Sequence, residues 1–81
     1  MPTTTTITLD SSVVYNGETY TKLTMREPLV RDQRAVSKLA DDSEIEIRMF
    51  SMLCDVSDAV LDVLTLKDFL KLQKAYQDFL S

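Results

Sequence analysis

Before Pro28 this chain has apolar residues two apart, Ile7 with Leu9, Val13 with Tyr15, Leu23 with Met25; beyond it they return at helical spacing, as in Ile45, Met49, Met52 and Val56. A period of two belongs to a strand with one buried face, and a period near 3.6 to a helix. The change falls across Leu23-Thr24-Met25-Arg26-Glu27-Pro28 and predicts an α+β fold. An N-terminal antiparallel β-hairpin region (1–28) is followed by a region of three to four short α-helices (29–81), the whole a single domain, 1–81. A core in 81 residues is marginal without a supplement, so self-association or a partner is expected.

Asn16-Gly17 sets the hairpin, because a type I′ turn needs positive φ at both central residues. It places Tyr15 opposite Glu18 and Val13 opposite Tyr20. Carried outward, that register sets Asp10 against Leu23 and Thr8 against Met25, which leaves Ile7 and Leu9 on the face opposite Leu23 and Met25. A one-residue shift reverses every side chain of a strand. One extra residue around Asp10 to Ser12, as a β-bulge, would bring all four onto one face.

Pro28 lacks an amide hydrogen and pushes Glu27 towards extended geometry, ending the strand. A short surface helix is expected from Val30 to Leu39, with a thin stripe of Val30, Ala35, Val36 and Leu39, and Asp32 in its first turn at the positive end of the dipole. Leu29 cannot cap it. Ser43 with Glu46 reads as a capping box for the next helix. There Ile45, Met49, Met52, Leu53 and Val56, widened by Ile47, Phe50 and Cys54, mark a central helix buried on most sides. Ser57 can cap a short helix through Asp58 to Val63. Thr65 and Asp68 make a further capping pair, with Leu64 and Phe69 placed as a hydrophobic staple, so the last helix starts close to Leu66 and stays amphipathic to Ser81.

Chemistry finds little support. There is no histidine, so the usual general base near neutral pH and the commonest neutral metal ligand are missing. Cys54 has no histidine to activate it and stands among Met52, Leu53 and Val56, which reads as a buried, inert thiol. Asp41, Asp42, Glu44 and Glu46 match no calcium loop and suit a helix start. No glycine-rich phosphate loop is present. Enzymatic activity, a metal and a cofactor are therefore not expected. A formal net charge of −4 without a dense Lys/Arg stripe argues against nucleic acid. No apolar run approaches the roughly 20 residues that span a bilayer, and the N-terminus is unlike a secretory signal, which points to the cytosol.

Two places have the character of sites. Arg26, Glu27 and Pro28 either form local ion pairs at the strand–helix corner, with Asp32 a partner for Arg26, or meet another protein. In the last helix Phe69, Leu72, Tyr76 and Phe79 form one apolar row, with Leu66, Leu70 and Leu80 beside it. The first row can be a core face, yet the two together are wider than one neighbouring helix covers. Part of that surface would then be left for a partner helix, with Met25, Met49 and Met52 making it adaptable.

Leu23-Thr-Met-Arg-Glu-Pro28, then Asp32, then Leu64-Thr-Leu-Lys-Asp-Phe-Leu-Lys-Leu-Gln73 resembles, in order and spacing, the small tail assembly chaperones of Mu-like tailed phages and prophages. Their pattern is a hairpin ending in Leu-Thr-Leu-Arg-Glu-Pro, a following Asp, and a closing Leu-x-x-Lys/Arg-Asp-Phe/Tyr-x-x-Leu-Gln run. The chain departs from it at Leu29, where family members often have Thr. The resemblance makes Leu23, Arg26, Glu27, Pro28 and Asp32 a family motif. It implies a protein of the host cytoplasm that binds the tape measure protein before the tail tube forms around it, and it brings in the tail tube protein as a further partner. It also implies a programmed frameshift that extends the chain, which a helix amphipathic to its last residue would tolerate. The surface expected to bind is Leu66, Phe69, Leu72, Tyr76, Phe79 and Leu80, and a homo-oligomer is expected. The alternative is a structural minor tail or head-tail adaptor subunit retained in the virion.

Overall fold

The Asn16-Gly17 turn forms as its chemistry requires. In the computed structural model, which describes residues 3–81, these residues have φ of 52° and 83°. Strands β1 (Thr4–Tyr15) and β2 (Glu18–Arg26) run antiparallel from it as a two-stranded sheet. Tyr15 pairs with Glu18 and Val13 with Tyr20, as expected.

The expected irregularity lies where the register conflict put it, but it is larger than one residue. Between the Thr8–Lys22 and Val13–Tyr20 pairs, the four residues Leu9 to Ser12 of β1 stand against Thr21 alone. β1 therefore carries three extra residues. Three is odd, as one is, so the correction of faces is the same: Ile7, Leu9, Val13, Leu23 and Met25 are all buried.

Such a bulge leaves strand amides without ladder partners, and a side chain from the far end of the chain takes two of them. The Asp10 and Ser11 N–H groups donate to Oδ1 and Oδ2 of Asp68 at 2.8 and 3.1 Å. Asp68 is 0% exposed. Lys71 Nζ joins the group, 3.3 Å from Asp68 Oδ1 and 2.8 Å from Asp10 Oδ1, and donates to the Thr8 carbonyl at 2.9 Å. The two amides foremost, against the opposing effect of burial, hold the Asp68 carboxyl below the usual carboxylate range, with Lys71 adding to the effect.

Four helices follow: α1 (Val30–Val36), α2 (Asp42–Cys54), α3 (Asp58–Asp62) and α4 (Leu66–Leu80). α1 stops three residues short of Leu39. Of its expected stripe only Val36 is enclosed, while Val30 and Ala35 face solvent and Asp32 is buried instead. The Ser43–Glu46 capping box does not form. Asp41 is the N-cap, its Oδ1 accepting from the Ser43 and Glu44 N–H groups and the Ser43 hydroxyl, and Glu46 accepts from Gln73 on α4. Asp and Ser are comparable caps, and the one standing earlier starts the helix. Ser57 caps α3 and Thr65 caps α4 as expected. The Asp68 carboxylate does not return to the cap, because the bulge holds it.

Met25, Phe50, Leu53 and Leu72 meet in one core that includes residues of the sheet and of α1 to α4. Phe50 lies between two rings of α4, with centroids 5.5 Å from Phe69 and 5.6 Å from Tyr76, spacings at which tilted aromatic pairs attract. α2 is buried through Met49, Phe50, Leu53 and Cys54, while its N-terminal half is only partly covered. Burial alone pushes the Cys54 thiol up to about 12, in keeping with the inert reading.

Asp68→Asn exchanges one of the two acceptor oxygens for a donor and is expected to lower the thermal midpoint at pH 7 by roughly 5–10 °C, Asp68→Ala by more. Because folding depresses this carboxyl, its contribution is complete above its ordinary value of 3.8 and is lost as pH falls from there through the folded-state pKa. Thermal melts between pH 7 and pH 2 should show wild type and Asp68→Asn converging in acid.

Candidate partner-binding surface

The strand–helix corner is a tied structure. Arg26 donates through both terminal nitrogens to Asp32 at 2.7 Å each, a bidentate geometry that fixes both partners. Asp32 Oδ2 also accepts from the Leu29 N–H at 2.9 Å, which supplies from the third helical position the half of a capping box that Leu29 leaves open to it. The Arg26 hydrogen bond, followed by that of Leu29 and opposed by burial, keeps the Asp32 carboxyl below its ordinary range and raises Arg26. The exposed-pair range of ~0–1 kcal/mol does not apply, because Asp32 is 3% exposed. Leu23 lies in the core, the Glu27 N–H donates to the Thr3 carbonyl at 3.0 Å, and Pro28 is half-buried. Of the motif, the Glu27 side chain is the member left exposed.

On α4 the structure separates the two apolar rows. Leu72 and Ala75 are enclosed, and Phe69, Tyr76 and Phe79 pack against the core as half-buried residues. Leu72, at 0% exposure, has no surface to offer a partner. The second row points outward: Leu66 is 83% exposed, Leu70 60% and Leu80 59%. Of the six residues expected to bind, Leu66 and Leu80 therefore lie open on the outer side, while the other four face the core wholly or in part. Sequence spacing groups Leu70 with the open pair, and Val63 at the entrance to α4 is exposed as well.

Tyr76 also lines a pocket of about 170 Å³ with Gln33, Asp42, Ile45, Glu46, Met49 and Phe50. Its walls mix apolar Ile45, Met49 and Phe50 with polar Gln33 and Tyr76, and its carboxylates come from the first turns of α2. No group of three or more His, Cys, Asp or Glu side chains able to hold a metal ion occurs among the described residues. Nor is any helix among them long and apolar enough to cross a membrane.

The family model for phage tail assembly chaperone proteins, E, or 41 or 14, matches residues 6–81. The chain belongs to that family. Neither the curated proteins nor the solved structures gave a match. For this tail assembly chaperone the match begins within β1 and runs through α4, so hairpin bulge, corner and helical rows all lie inside the family unit. Membership suggests a role in assembly through protein partners rather than in catalysis.

Arg26→Ala leaves the buried Asp32 carboxylate without its charged partner and is expected to cost about 1–3 kcal/mol by chemical denaturation. Arg26→Lys, unable to reproduce the fork, should recover only part of it. The two rows of α4 should separate in the same assay: Leu72→Ala costs ~2–5 kcal/mol, and Leu66→Ala changes stability by no more than ~0.5 kcal/mol.

Proposed function

We propose that this chain binds the tape measure protein in the host cytoplasm and keeps it soluble during tail morphogenesis, without catalysis. Family membership supports the setting. The observation that carries the reading is the outer row of α4, where Leu66, Leu70 and Leu80 stay exposed although the opposite side of the same helix is packed. Isolated exposed leucines are ordinary, but three in line on one helix make a surface suited to another amphipathic helix. A long helical client with apolar stripes would be covered there. The net charge of −4 would keep the complex soluble and weaken further association. The tail tube protein and a second copy of the chain are the other polypeptides whose helices such a row would suit.

Co-expression with the tape measure protein of the same phage tests the reading. Soluble recovery of the client is expected only when this chain is present. A charge in the outer row, Leu66→Asp with Leu70→Asp, should abolish the effect while the circular dichroism of the free protein is kept. Tyr76→Asp and Phe79→Asp are poorer probes, because both side chains pack against the core. A client equally soluble without the chain would remove the proposal.

A further inference from the structure

The outer side of α4 carries more pattern than three leucines. Leu66, Leu70, Gln73, Gln77 and Leu80 are separated by four, three, four and three residues, the a/d spacing of a two-stranded coiled coil. Leu66, Gln73 and Leu80 occupy d positions and Leu70 and Gln77 a positions. None of the five is enclosed: four are exposed and Gln73 is half-buried. Residues flanking such a seam decide what it pairs with and in which direction.

The two flanks differ. On one stand Lys67 and Lys74, each directly after a d residue. Both are open, 79% and 78% exposed, and each has an exposed acid of its own nearby, Asp10 at 3.1 Å from Lys67 and Asp78 at 3.4 Å from Lys74. On the other stand Phe69 and Tyr76, each directly before an a residue and each beside α2. Glu46 reaches that flank, since its Oε1 accepts from Gln73 at 2.8 Å, and Asp42 and Glu46 line the pocket next to Tyr76. One edge of the seam therefore carries two lysines held only in exposed, weak ion pairs, free to exchange partners, and the other carries acids over an aromatic base.

We infer that this seam pairs with the same seam of a second copy, parallel and in register. A two-fold axis along paired parallel helices sets the lysine flank of each against the acidic, aromatic flank of the other, so that Lys74 meets Phe69 on the flank that Glu46 reaches, twice over. Antiparallel pairing sets Lys67 and Lys74 against each other. In parallel register Leu66, Leu70 and Leu80 form like-with-like layers. Gln77 pairs across the axis, a polar insertion that fixes register at a cost in stability, while Gln73 stays with Glu46 of its own chain. Two heptads make a short interface, so the dimer is weak and its seam can open. The inference takes from the proposed function only that this row meets a helix. Its test needs no client, so failure of either leaves the other standing.

Sedimentation of the full chain from about 10 µM to 1 mM should show a monomer–dimer equilibrium. Leu70→Glu should remove it with the circular dichroism unchanged. Lys74→Glu and Glu46→Lys should each weaken dimerisation about tenfold, and the double variant should regain most of that loss. Gln77→Cys should form a disulfide-linked dimer on mild oxidation, because parallel register sets the two thiols opposite each other, whereas the buried Cys54 stays out of reach. A chain monomeric to 1 mM would overturn the inference. A double variant as weak as the singles, or no crosslink at residue 77, would overturn the parallel pairing.

Discussion

A single carboxylate joins the two ends of this small protein. β1 reaches a common apolar face with β2 only by extruding an odd number of residues, and that extrusion strips amides of their ladder partners. Asp68, at the third position of α4, accepts from two of them. The bond fixes α4 across β1 and sets its rotation, so that Phe69, Leu72 and Tyr76 turn inward and Leu66, Leu70 and Leu80 turn out. Lys71, one turn later, reads the same bulge through Asp10 and the Thr8 carbonyl. Residues about sixty positions apart thus determine which side of the last helix stays exposed.

A second buried carboxylate works in the same way at the other end of the sheet. Asp32 holds Arg26 of β2 and the Leu29 amide at the start of α1, so the chain turns from strand to helix with its polar groups matched. No buried side-chain nitrogen or oxygen lacks a partner among the described residues. A core this small gains specificity from such matched groups, since each is costly to bury in any other arrangement. The tail assembly chaperone therefore spends its two buried acids on geometry and leaves its apolar excess outside.

Much of this was legible in the residues. Asn16-Gly17, the parity conflict between Ile7/Leu9 and Leu23/Met25, and the caps Ser57 and Thr65 depend on local chemistry alone, and each appears where that chemistry put it. The bulge could be located but not sized, because one and three extra residues correct the faces equally. The Arg26–Asp32 pair is one of the two readings the corner allows and the one it adopts, whereas Asp68 reads only as a helix-start acid, a local role that hides its long-range partners in the bulge. Spacing found both apolar rows of α4 but could not say which faced inward, since that depends on the rotation Asp68 sets. The same limit merged Leu72, a core residue, with Leu66 and Leu80 in the expected binding surface.

Amide hydrogen exchange at Asp10 and Ser11 reaches the centre of this account most directly. Both lie in an irregular, solvent-facing stretch, where ordinary bulge amides exchange quickly. If Asp68 ties them to α4, they should exchange as slowly as the amides of buried Leu23 and Met25, through the same cooperative opening. Exchange at these two positions as fast as at the hairpin turn would mean that the bulge and the last helix are not joined, and that the outward row of α4 has no fixed direction.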